Sequence, residues 1–205
     1  MESKDNQDRS RRHPNSYSDP IVRHQQQAKQ GREGHATPEK NPTTGITVEI
    51  FGPTVEFLTS PEDEHNDFCM LKGTIPPNVH IPLHSHPDTE DFLLISGTVE
   101  YLRQNEKKHE WAGAKPGDYI HVPADAPHAW RNVSPEPVVS LIITTKRLAR
   151  FFQEAGRRPT VDAPQPVKPE DIARFAEISA RYGYWNATPE ENEAVGIHLS
   201  FSNSD

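Results

Sequence analysis

His84 and His86 stand two apart in the stretch PLHSHPDTEDFLLISG, residues 82–97, and Glu90 follows four positions later. On a β-strand, residues two apart project to the same face, so this spacing forms a pair of imidazoles that can act on one ion. Glu90 comes after the bend Pro87-Asp88-Thr89 and leads an apolar strand in which Glu90, Phe92 and Leu94 share one face. A carboxylate on a core face is costly unless it is paired or bound to a cation. Two imidazoles beside it make a metal the simplest explanation. A second cluster, GDYIHVPADAPHAWRN at residues 117–132, supplies a further ligand in His128, which opens a strand after a Pro-Ala-Asp-Ala-Pro corner. Four nitrogen and oxygen ligands suit most first-row divalent metals and leave two octahedral positions for substrate, water or oxygen.

The elements that must position these groups read as short strands. Residues 46–51, 55–58, 68–75, 91–95, 98–102, 109–112, 119–122, 128–133 and 138–144 are rich in branched or aromatic side chains and bounded by Gly, Pro, Asn or Asp. The pattern predicts an all-β sandwich or barrel. Helical spacing comes only afterwards: Leu148, Phe151, Phe152 and Ala155 before Gly156, then Ile172, Phe175, Ala176 and Tyr182 before Gly183. The second of these helices starts at Pro169 and is too short to be stable alone, so its apolar face must dock on the barrel.

Composition sets the remaining bounds. The chain has 205 residues, 33% of them hydrophobic, with 20 prolines. That is length for one domain plus tails, and residues 1–44, polar and nearly free of apolar side chains, read as a disordered tail. The expected division is 1–44 tail, 45–147 barrel and 148–205 helical extension. The chain lacks the roughly 7–15 apolar residues in a row of a secretory leader and the roughly 20 of a membrane span, which points to a cytoplasmic location away from membranes. A formal net charge of −8 argues against a nucleic-acid partner. The single cysteine, Cys69, excludes an internal disulfide.

The two clusters resemble the signature motifs of the cupin superfamily, G-x5-H-x-H-x3/4-E-x6-G and G-x5-P-x-G-x2-H-x3-N. His84, His86, Glu90 and Gly97 match the first, and Gly117, Pro123, His128 and Asn132 match the second. Asn78 and Asp125 stand where the motifs have glycine; both residue types tolerate the left-handed backbone that a turn glycine supplies. The resemblance implies a small antiparallel jelly-roll β-barrel in which His84, His86, Glu90 and His128 hold one divalent transition metal: iron, manganese, nickel, copper, cobalt or zinc. Homodimers are common in the family. The C-terminal extension also looks like that of single-domain bacterial cupins similar to quercetin 2,3-dioxygenase. That narrower likeness implies a metal-dependent dioxygenase acting with dioxygen on a phenolic or enolic compound, Glu90 taking a proton from the substrate. A metal-dependent isomerase or lyase, and a non-catalytic small-molecule sensor, are the alternatives.

Other residues have two readings each. Trp130, two after His128, Phe92 and Tyr101 can wall a substrate site or simply pack the core. His80 shares strand parity with His84 and His86 and can line the cavity, or be exposed. His121 points away from its apolar neighbours Ile120 and Val122, and Arg103 and Arg131 read as outward.

Overall fold

The computed structural model describes residues 44–105, 108–159 and 167–199. Apart from Thr44, the expected N-terminal tail lies outside them. Two antiparallel sheets face each other in a jelly-roll barrel. The first runs β1 (Thr47–Glu49), β2 (Thr54–Phe57), β3 (Phe68–Ile75), β10 (Val138–Thr145), β5 (Glu90–Ser96) and β8 (Tyr119–Val122), in that spatial order. The second runs β11 (Trp185–Asn186), β4 (His80–Ser85), β9 (His128–Arg131), β6 (Val99–Asn105) and β7 (Lys108–Ala114).

Alternation along the strands decides what lies between the sheets. On β5, Phe92 and Leu94 are buried while Leu93 and Ile95 are exposed, and on β8 Ile120 and Val122 are buried while Tyr119 and His121 are exposed. The inward set, with Phe57, Cys69, Leu71, Trp130 and Ile142, forms the main core. Period-two burial of this kind is the behaviour expected of a sheet with one covered face. The outer face of the second sheet is covered too. Leu83, Leu102 and Ala129 bury against Ile197 from the C-terminal segment, and the Trp111 Nε1–H donates to Val195 O at 2.8 Å.

The helices form near the expected residues, but the second buries against the first more than against the barrel, which it meets through Phe175 edge-on to Phe51 at 5.2 Å while Ala176 stays exposed. Helix α1 (Lys146–Ala155) continues directly from β10, and the Thr145 hydroxyl caps it by accepting from Leu148 N at 3.1 Å. Helix α2 (Pro169–Tyr182) buries Ile178 against Leu148, Phe151 and Ala155. It ends at Gly183, φ 69°, where Tyr184 N donates to Ser179 O at 2.9 Å, a left-handed turn that sends the chain back across the barrel as β11. A short helix α3 (Pro189–Ala194) follows; neither it nor β11 is legible as a pattern in the sequence.

Candidate metal centre

The centre begins with a fault in strand pairing. Ile81 faces Trp130 and His84 faces His128, so three steps along β4 match two along β9. The extra residue is a bulge beside Pro82, whose missing N–H suits an interrupted ladder. Its effect is to invert the facing of the strand. Ile81 packs into the main core, Leu83 into the outer cluster, and His84 points inward. His80 therefore falls on the outer face opposite Arg131, and the structure does not bring it to the cluster. Burial, then Arg131 and His198, hold its imidazole below the usual value. Strand parity fails for His80 because parity assumes an unbroken strand.

The three remaining histidines converge. Ring centroids lie 4.2 Å apart for His84 and His128, 5.1 Å for His86 and His128, and 5.6 Å for His84 and His86. One ligand atom from each lies within 4.8 Å of the others, so the trio can hold a metal ion. Each ring is oriented by a main-chain carbonyl two residues away: His84 Nδ1 to Pro82 O at 2.8 Å, His86 Nδ1 to Asp88 O at 2.9 Å, and His128 Nδ1 to Ala126 O at 2.8 Å. A carbonyl only accepts, so each Nδ1 carries a proton, and a ring that is otherwise unprotonated presents its Nε2 lone pair. Of these, His128 Nε2 is buried with no hydrogen-bond partner among the described residues. An orphaned buried lone pair in a ring of two more is what a bound cation would satisfy.

Glu90 enters from the facing sheet. Its Oε2 is 3.3 Å from His86 Nε2 and 3.4 Å from His128 Nε2, and the residue is buried. Burial pushes its carboxyl up, but the His128 and His86 imidazoles outweigh this and bring it to about 2. For His86, burial lowers the value and Glu90 more than reverses it, leaving the ring above its usual range. His84, enclosed and beside His128 and His86, is pushed down to about 3. The carboxylate is thus ionised and His84 neutral at ordinary pH.

A carboxylate that the sequence did not flag braces this arrangement. Buried Asp88 accepts from Thr145 Oγ1 at 2.6 Å, Arg147 Nη1 at 2.9 Å and the Tyr184 hydroxyl at 2.7 Å, while its main-chain carbonyl orients His86. Tyr184 also lays its ring 5.2 Å from that of His86. The partners come from the junction of β10 with α1 and from the segment after Gly183, distant in sequence, so only the fold reveals them. Asp125 N donates to His86 O at 2.7 Å, which ties the corner before His128 to the same ligand. Asn78 and Asp125 adopt φ 59° and 62°, the left-handed backbone expected of them.

Below the ligands, Trp130 packs against Phe92 at 4.6 Å and Tyr101 at 5.8 Å, all within or against the main core. His121 lies outside, with its Nδ1 2.7 Å from Asp91 Oδ1. Arg131 donates from Nε to Glu100 at 2.5 Å and Arg103 donates to Glu110 at 3.1 Å, neither near the histidines' face. Cys69 is fully buried, and burial raises its thiol.

A family model described as "Cupin domain" matches residues 72–144, the span that holds all three converging histidines and Glu90. Residues 72–144 are a cupin domain. A curated relative, dimethylsulfoniopropionate lyase DddQ of Ruegeria pomeroyi, is 29% identical to this chain over 69 residues, 34% of this chain and 32% of the relative. The chain thus matches about a third of that relative's length. Among solved structures, the cupin domain of an XRE family transcriptional regulator from Enterobacter cloacae is similar at 26% identity, with a TM-score of 0.38, covering 46% of this chain and 96% of that one. Oxalate decarboxylase from Bacillus subtilis is similar at 23% identity, with a TM-score of 0.43, covering 49% and 27%. Among the described residues no helix is long and apolar enough to cross a membrane.

Proposed function

We propose that this cupin is a metal-dependent lyase that cleaves a small carboxylate-bearing substrate without consuming oxygen. The observation that carries the metal is the convergence of three imidazoles whose Nδ1 protons are all committed to main-chain carbonyls. His84, His86 and His128 would hold the ion, with Glu90 as a fourth ligand, and its identity lies among iron, manganese, nickel, copper, cobalt and zinc. When bound, a divalent ion supplies a seat for a substrate oxygen and stabilises negative charge that develops on it. The lyase class is favoured by the likeness to a dimethylsulfoniopropionate lyase over 69 residues.

In such a reaction a base takes a proton from the carbon next to the carboxylate. The freed electron pair forms a carbon–carbon double bond, and the group on the next carbon departs with its bonding pair. Glu90 is the chain's candidate base by position, buried against the ligand cluster, and it would act once released from the ion and from the imidazoles that hold its carboxyl low. Tyr184 is a poor one, because burial and its bond to Asp88 push its phenol far up. Buried Trp130 and Phe92 keep water from the floor of the site.

The second reading is dioxygenation of a phenolic or enolic compound, favoured by the cluster of tilted aromatic rings Phe92, Trp130 and Tyr101 below the ligands, against which a flat ring could pack. One experiment separates the two. The protein is loaded with each metal in turn and incubated under argon with dimethylsulfoniopropionate and other β-substituted propionates, with unsaturated acid followed by NMR. Parallel samples receive flavonols in an oxygen electrode. Metal-dependent formation of unsaturated acid under argon, lost in His128→Ala, is expected. Oxygen uptake with a flavonol and no anaerobic product refutes the lyase in favour of the oxygenase, and no metal uptake refutes both.

A further inference from the structure

We infer that Asn186 is a ligand-contacting residue at this centre, its carboxamide hydrogen-bonding the carboxylate of a ligand held by the three histidines. The inference rests on the metal-dependent reading above and adds the group that fixes the ligand's second oxygen. It lies outside the matched cupin span, in the C-terminal segment.

Register places it. β11 pairs antiparallel with β4, Trp185 opposite Ser85 and Asn186 opposite His84. Residues directly opposite on antiparallel strands share a face, with Cβ atoms about 4.5–5.5 Å apart. Asn186 therefore stands on the inward face beside His84, and Trp185 on the outward one. Tyr184 provides an independent check on this facing. It precedes Asn186 by two residues, so it shares its side, and its ring lies 5.2 Å from that of His86. Each of the two histidines carried by β4 and its extension thus has one β11-side neighbour.

The two neighbours differ in what they have left to offer. The Tyr184 hydroxyl is spent on Asp88 at 2.7 Å. Asn186 is exposed and makes no side-chain hydrogen bond among the described residues. Other asparagines nearby are saturated: Asn192 donates to Ala187 O and Thr188 O and accepts from Leu83 N, and Asn132 donates to three carbonyls. The segment bearing Asn186 is nonetheless fixed, by Ala187 N donating to Leu83 O at 3.0 Å on one side and by Tyr184 on the other. A rigidly held, unused carboxamide beside a ligating imidazole is suited to read the ligand rather than to support the fold. Because it is neutral and carries two N–H donors, it matches an anionic oxygen without competing for the ion.

The test uses the full chain loaded with Co(II), whose visible spectrum reports ligands entering the coordination shell. Acetate is the carboxylate probe, and azide, which offers no second oxygen, is the control. Loss of a hydrogen bond to a charged group is expected to raise the acetate Kd of Asn186→Leu about tenfold or more, with Co(II) affinity and azide Kd unchanged. Asn186→Asp, which presents a negative acceptor, is expected to bind acetate more weakly still. Equal acetate affinity in wild type and Asn186→Leu overturns the inference, as does a parallel loss of azide and acetate, which would place the effect on the ion itself. Azide binding without any acetate binding in the wild type also overturns it. Failure of the wild type to take up Co(II) would instead strike the metal-dependent reading on which it stands.

Discussion

Acidification should weaken metal binding here by fewer protons than three histidines would ordinarily require. A metal ligand must be deprotonated, so each imidazole protonated at a given pH costs one proton on binding and tenfold in affinity per pH unit. Three ordinary imidazoles, with values near 6.5, would lose affinity about a thousandfold per unit well below that value. In this centre His84 is pushed down to about 3 and Glu90 to about 2, so neither holds a proton between pH 4.5 and 6. His86 is raised and must give up its proton throughout that range. His86 thus gives log Kd a slope against pH of at least one, a loss of about tenfold or more from pH 6 to pH 5, and the depressed His84 keeps the slope below three. The sign of the accompanying stability change follows. The raised His86 contributes stability that is complete below about 6.5 and lost as pH rises through its folded value. Depressed Glu90 contributes stability present above about 4.5 and lost as pH falls through about 2. The metal-free protein accordingly keeps its His86–Glu90 pair between those limits, and the ion must displace it. Competition with a chelating dye for Zn(II) across pH 4.5–7 measures the slope, and calorimetry in two buffers of different ionisation enthalpy counts the protons. A slope near three, or none, would refute the reasoning.

Two further expectations concern the scaffold. Asn132 is fully buried and its carboxamide serves Ile75 O, Pro76 O, Glu136 O and both the amide and hydroxyl of Ser134. Its two N–H donors are shared by the three carbonyls and its Oδ1 accepts twice, so Asn132→Ala loses about four bonds and should cost about 4 kcal/mol at roughly 1 kcal/mol each, lowering Tm by about 10 °C; a drop below about 3 °C in calorimetry would contradict that. Asp125 holds φ 62°, so Asp125→Val should destabilise by about 1–2 kcal/mol while Asp125→Gly does not, and equal effects in urea titration would argue against backbone strain.

How much of this could be read beforehand depended on the range of the interaction. The alternation on β5 and β8 and the helical spacing before Gly156 and Gly183 are local, and the strands and helices follow from them. His84, His86, Glu90 and His128 are marked by spacing within two short stretches. Asp88 carries no such mark: its three side-chain partners lie 57, 59 and 96 residues away, and nothing in HPDTE singles it out. Asn186 sits on a strand of two residues, too short to leave any periodic trace. His80 misleads because the extra residue of the bulge sits between it and His84, and a one-residue shift reverses the face of every residue on its far side.

The interrupted pairing beside Pro82 also makes β4 two half-strands with opposite phase. The half holding Ile81 answers to the core, the half holding His84 to the ion, and substitutions in one need not respect the alternation of the other. Deleting Pro82 would place Ile81 and His84 two apart, in step with Trp130 and His128, with Leu83 between them still facing outward. Both halves would then keep their facing on an unbroken ladder. The bulge is thus one residue more than the barrel and the ion site require, and a chain shorter by that residue should keep both.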